Sequence, residues 1–186
     1  MRVRLAMFAL AITIVASPAF AATVEEPADF RMEKYSAPVP ATLKGARVLS
    51  TSEAKGLWRA GKSIFIDVLP RPPKPDLPEG TVWREPPHSD IPGSVWLADS
   101  GYGGLTPEME AWYRDSLAEL TAGDTSRLLV IYCRRDCWMS WNAAKRAVAW
   151  GYTGVAWYPG GVEDWEAGGL PLEKRKPRRP ASIGGK

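Results

Sequence analysis

An α/β fold with a mainly parallel central sheet flanked by helices on both faces is predicted by three features of this sequence. Short apolar runs of strand length alternate with helix-length segments along most of the chain. The runs Ser63-Ile64-Phe65-Ile66-Asp67-Val68 and Leu128-Leu129-Val130-Ile131-Tyr132 are largely apolar without alternation, the pattern of strands covered on both sides. Capping residues and glycines bracket the intervening helices.

The elements follow in order. Ala46-Arg47-Val48-Leu49 reads as a short strand, and Ser50-Thr51-Ser52-Glu53 carries the Ser-x-x-Glu capping box, in which hydroxyl and carboxylate satisfy each other's orphan amides. The helix it opens runs to Ala60 and stops at Gly61. The strand at 63–68 comes next. Residues 69–92 contain eight prolines, together with Trp83 and the lone His88, and read as a long irregular loop. Gly93-Ser94-Val95-Trp96-Leu97 is a second short strand. Thr106-Pro107-Glu108 supplies a cap, a proline at the first helical position and an acid in the first turn, for a helix to about Leu120. The strand at 128–132 leads directly into Cys133. An Ala-rich helix from about Met139 to Trp150 is closed by Gly151, Val155-Ala156-Trp157-Tyr158 is another strand, and Gly160-Gly161 opens a last short helix through Trp165.

Charge is unevenly placed. The chain has 24 Lys+Arg against 21 Asp+Glu, yet residues 22–173 hold 16 basic and 21 acidic residues. The body is mildly acidic, which argues against a nucleic-acid partner. The excess basic charge sits at the ends. Arg2 and Arg4, the apolar run Leu5–Ala16 and the small-residue site Ala19-Phe20-Ala21 predict a secretory signal peptide over 1–21, cleaved after Ala21. The apolar run is too short to cross a bilayer, which takes about 20 helical residues. The mature chain is then expected in the periplasm, without membrane attachment, where a disulfide persists. Residues 22–45 are expected to be an extended lead-in on the domain surface, 46–173 the folded domain, and 174–186 a basic disordered tail.

The chemistry concentrates in Cys133-Arg134-Arg135-Asp136-Cys137-Trp138-Met139-Ser140, where a buried strand ends and a helix begins. Ligands of open α/β sheets sit at that place, and loop amides there can converge with a helix N-terminus into an anion nest. A thiol in such a nest is pushed towards thiolate by the helix end and by nearby cations, here Arg134 and Arg135. The plainer reading is a structural disulfide, but so close a pair closes a small loop and stabilises less than a long-range bridge. Trp138 and Trp141, a turn apart, are candidates to wall the pocket. Two cysteines and one distant histidine fall short of a four-ligand zinc site, no haem-attachment pattern is present, and no metal or cofactor is expected.

The ordered set Ile66-Asp67-Val68, Ile91-Pro92-Gly93-Ser94, Tyr132-Cys133, Gly151-Tyr152-Thr153-Gly154-Val155, Gly160-Gly161-Val162-Glu163-Asp164-Trp165 and Gly169-Leu170-Pro171 resembles the rhodanese-like domain across roughly Arg47 to Glu173. The resemblance implies that Cys133 carries a persulfide in sulfur transfer, cradled by the loop amides. Cys137-Trp138-Met139-Ser140-Trp141-Asn142-Ala143-Ala144-Lys145 further resembles the exported rhodanese-like proteins named for a CXXCW motif and associated with pyrroloquinoline quinone (PQQ)-dependent catabolism, although three residues here separate the cysteines. That narrower likeness implies a place beside periplasmic quinoprotein dehydrogenases and their cytochromes.

The chain departs from the rhodanese pattern at Leu69, where an arginine is usual, and at Asp90, where a histidine commonly precedes Ile-Pro-Gly. Trp138 or Met139 stands where a phosphatase loop would place its phosphate-clamping arginine, so phosphatase activity is the least favoured reading. Two functions are carried forward. In one, Cys133 is the nucleophile and Cys137 resolves it, with Asp67 and Trp141 as support and a small anionic sulfur donor as substrate. In the other, the protein is a non-catalytic accessory of a PQQ-dependent dehydrogenase or c-type cytochrome, using the Pro-rich loop and exposed tryptophans as its contact surface.

Overall fold

The computed structural model describes residues 24–84 and 86–178. The signal peptide expected over 1–21 and the tail beyond Arg178 lie outside the described residues. Five parallel strands form the central sheet in the order β1 (Arg47–Val48), β6 (Val155–Tyr158), β5 (Leu129–Tyr132), β2 (Ile64–Asp67) and β4 (Val95–Trp96). β5 is therefore central, paired from Leu129 to Tyr132 on both sides, and all four of its residues are buried.

Residue alternation splits the core. Leu129, Ile131 and Cys133 face one side of the sheet, where α2 (Pro107–Thr121) and α3 (Trp138–Ala149) cover them with Tyr113, Leu117, Trp141 and Ala144. Val130 and Tyr132 face the other side, against Ala54 of α1 (Thr51–Ala60) and Trp165 of α4 (Gly161–Ala167). The expected fold class is the observed one. The capping box at Ser50 and Glu53 is formed, with Gly61 in the left-handed region closing α1. Thr106 caps α2 by accepting the Met109 N–H.

Two segments depart from the sequence reading. His88, assigned to an irregular loop, lies in a strand, β3 (His88–Asp90), which pairs antiparallel with β7 (Glu173–Arg175). Lys174 and Arg175, placed in a disordered tail, thus extend the fold, and the Arg178 N–H donates to the Trp96 carbonyl at 2.8 Å. Alternation gave no signal for either strand because each is short and polar; they are held by pairing with each other rather than by burial of an apolar face.

The lead-in lies across α3 as a strap. Ser36 bridges Cys137 antiparallel, with the Ala37 N–H donating to the Asp136 carbonyl and the Trp138 N–H to the Tyr35 carbonyl. Asn142, fully buried, accepts the Arg31 N–H at 2.9 Å and donates to the Arg31 carbonyl at 2.8 Å. The indole N–H groups of Trp138 and Trp141 donate to Pro38 and Thr42, while Arg31 and Lys145 lie over the two rings. Two indoles that the sequence offers as pocket walls are instead spent holding the strap, because a buried indole N–H requires an acceptor.

Candidate functional site

The central strand ends at Cys133 and α3 takes Cys137 as its N-cap, so the chain must turn within three residues. Asp136 makes that turn in the left-handed region at φ 52°, a conformation aspartate tolerates better than most residues. The two cysteines are joined as a disulfide with their Cα atoms 6.3 Å apart.

The sulfurs are not equivalent. Cys133 is 0% exposed and belongs to the core; Cys137 is 4% exposed and forms part of a cleft of about 430 Å³ with Tyr35, Leu69, Arg71, Tyr102 and Arg134. Cys137 also sits at the amino end of α3, where the partial positive charge of the helix favours a thiolate. Of the two, Cys137, which the sequence reading assigns as the resolving partner, is the one that lines the cleft.

Two of the amides around the loop are already engaged. The Arg135 N–H donates to Glu163 Oε2 at 2.5 Å, and the Trp138 N–H donates to Tyr35. Gly161, at φ 56°, lets α4 approach so closely that a Cβ there would stand 2.5 Å from the Cys133 oxygen. The Val162 N–H uses that approach to reach the same carbonyl at 3.1 Å. A carboxylate from α4 and a carbonyl from the strap thus take two of the donors that the sequence offers to an anion.

The remaining predicted residues divide. Arg134 lines the cleft and its guanidinium donates to Ser36 Oγ, whereas Arg135 turns away to pair with Asp164. Met139 lines the cleft; Trp138 and Trp141 are buried under the strap. Ser140 donates to the Cys137 carbonyl at 2.9 Å and accepts the Trp157 indole N–H at 3.0 Å, fixing the first turn of α3.

Asp67 lies one position out of phase with Ile66 and Val68, which face the cysteine side, and pairs in register with Tyr132. Its support of the cleft is indirect, through Oδ1 accepting the Leu69 N–H at 2.7 Å. Its other oxygen meets His88 Nε2 at 2.8 Å, and Asp90 completes a group whose ligand-type atoms all lie within 4.8 Å. Burial pushes the Asp67 carboxyl up against the opposing pull of His88. Burial lowers the His88 imidazole, but hydrogen bonding and charge from Asp67 outweigh it and leave the pKa raised. Asp90, buried beside the Asp67 charge, is pushed up to about 7. Sequence reasoning missed this cluster; the one available signal was the only histidine standing two residues before Asp90.

The rhodanese-like domain family matches residues 50–168. No curated protein matches the chain. Among solved structures it is similar to the polysulfide-sulfur transferase homodimer of Wolinella succinogenes, at 19% identity over 71% of this chain and 81% of that one, TM-score 0.43. It is similar to a protein of unknown function, possible tyrosine phosphatase, from Rhodopseudomonas palustris, at 20% identity over 73% and 99%, TM-score 0.46. A rhodanese-like domain from Anabaena shows 16% identity over 77% and 92%, TM-score 0.43.

Proposed function

The chain belongs to the rhodanese-like domain family, and on that premise we propose that it is a periplasmic thiol-redox protein in which the Cys133–Cys137 pair cycles between disulfide and dithiol. The observation that carries this reading is the disulfide between the end of the central strand and the N-cap of α3, with Cys137 lining an open cleft. A dithiol reductant attacks Cys137 Sγ, the S–S bond breaks, and Cys133 leaves as thiolate to take a proton. The second thiol of the reductant then displaces Cys137, so two electrons and two protons pass to the protein and the reductant leaves as a disulfide. Cys133 as persulfide nucleophile in sulfur transfer is a role of the reduced form. The capture of the Arg135 and Trp138 amides leaves such an anion fewer donors.

The likeness of Cys137–Lys145 to the CXXCW-motif proteins supports placing this chemistry beside PQQ-dependent alcohol oxidation. The accessory reading draws support from Val82 and Met32, 80% and 63% exposed. It cannot use exposed tryptophans as its contact surface, because each of the nine is buried or half-buried. The test is to trap thiols in freshly isolated periplasm by acid and alkylation and to weigh the intact protein. A mass two hydrogens low, restored by reductant, is the expected result. A gain of one sulfur would move the assignment to sulfur transfer, two inert thiols would move it to the accessory role, and recovery in the cytoplasmic fraction would refute export.

A further inference from the structure

Behind the sheet, on the face opposite Cys133, three side chains from two stretches of chain meet: Asp67 at the end of β2, and His88 and Asp90 on β3. Both carboxylates are 0% exposed. Two buried acids beside one another are unfavourable unless something neutralises them. His88 serves Asp67, but neither oxygen of Asp90 has a hydrogen-bond partner among the described residues.

Arg175 offers Asp90 a counter-charge but no hydrogen bond. Arg175 lies across the β3–β7 pair, yet its Nε stands 3.8 Å from Asp90 Oδ1 and is itself without a partner, while its Nη2 is taken by Glu173. Asp90 thus has a loose ion pair and no hydrogen bond on either oxygen, which leaves its lone pairs open to a further ligand.

We propose that Asp67, His88 and Asp90 form a binding site for one divalent first-row transition ion, zinc above the others, with Asp67 Oδ2, His88 Nε2 and an oxygen of Asp90 as its ligands. One imidazole and two carboxylates make a donor set suited to such an ion, and three protein ligands leave a position free. Magnesium and calcium fit poorly, since both ask for more oxygen donors than these residues offer. A tetrahedral zinc holds its ligand atoms about 3.4 Å apart. In the observed cluster, within 4.8 Å, His88 and Asp67 must part from 2.8 Å and the Asp90 carboxyl must draw in for the ion to be held. The ion displaces the proton held between His88 and Asp67 and gives Asp90 its missing partner. His88 also borders a cavity of about 610 Å³ with Trp96, Lys174, Arg175 and Lys176. His88 is the one of the three that borders this basic cavity, so a fourth ligand entering from it would be water or a small anion.

The site is independent of the redox reading, and its test keeps the two apart. The full-length protein, without a histidine tag and with the disulfide intact so that no thiolate competes, is stripped with chelator and titrated with zinc chloride by calorimetry. Saturation at one equivalent and a rise in Tm with zinc are expected. Affinity should fall about tenfold or more in Asp90→Asn and in His88→Gln, with circular dichroism confirming that each is folded. Cobalt(II) should give visible d–d bands without a thiolate charge-transfer band. Absence of saturable binding, or binding that survives both substitutions unchanged, or a cobalt spectrum carrying the thiolate band, would overturn the proposal.

Discussion

Glu163 on α4 accepts the backbone N–H of Arg135 at 2.5 Å, which places a carboxylate inside the loop that joins the two cysteines. The neighbouring helix α4 therefore supplies an anion to the loop. Removing that carboxylate with Glu163→Ala frees the amide for an exogenous one. Binding of thiosulfate to the reduced protein should strengthen on the order of tenfold, the scale of one charge-assisted hydrogen bond. Unchanged binding in a calorimetric titration would show that the Arg135 amide is not the limiting donor.

Gly161 is required by contact as well as by conformation. Its φ is 56°, and a Cβ would stand 2.5 Å from both the Cys133 oxygen and the Arg134 Cα. Gly161→Ala should lower stability by about 2–4 kcal/mol, combining left-handed strain with backbone overpacking. Gly61→Ala is the control: its φ is 64° but nothing lies within 4 Å of the added carbon, so only the ~1 kcal/mol conformational part is expected. Urea midpoints of the two variants separate the contributions.

Asn142 on α3 makes three hydrogen bonds, two that tie the strap at Arg31 and one to the Gly101 carbonyl at 3.1 Å. Asn142→Ala leaves these buried backbone groups unpaired and should cost about 2–4 kcal/mol. Amide exchange at Arg31 should accelerate in the variant, and limited proteolysis should cut ahead of Leu43.

The capping box gives stability a defined acid limit. Arg47, then the Ser50 N–H and hydroxyl, hold the Glu53 carboxyl down at about 2 from an ordinary 4.5. A lowered carboxyl contributes stability that is complete above about pH 4.5 and is lost as the pH falls through about 2. In Glu53→Gln, the decline in urea midpoint across that window should be shallower than in the parent chain. An identical decline would place the acid sensitivity elsewhere.

Reducing the disulfide should leave the fold intact. A bridge between residues four apart restricts the unfolded chain only weakly, by about 2 kcal/mol on the chain-entropy scale. The reduced protein should keep its circular dichroism and lose only a few degrees in Tm. Unfolding on reduction would instead mark the bridge as structural.

What the sequence made legible was local. The Ser50–Glu53 box, Pro107 at the head of α2 and the apolar run of β5 each act within a few residues, and each stands where its own chemistry puts it. The strap was not legible, because Arg31 finds Asn142 across 111 positions and no pattern within 22–45 names its partner. His88 was hidden for a related reason: prolines on its N-terminal side read as loop, and its strand partner Arg175 lies in a basic segment without periodicity. In the site, the cysteines and their strand-to-helix setting were readable, whereas the choice of Cys137 as the open sulfur depends on how Tyr35 and Leu69 frame the cleft.

The strap also imposes an order of events. Residues 31–42 reach α3 across separations of roughly a hundred positions, from 99 for Thr42 with Trp141 to 111 for Arg31 with Asn142. They are made before α3 during synthesis and have nothing to bind until it exists. Long-range closures of this kind form late. Until then Trp138 and the cysteine loop stand uncovered, so an oxidant meets Cys133 and Cys137 most easily in the nascent domain, before the clasp shuts over the helix that carries one of them.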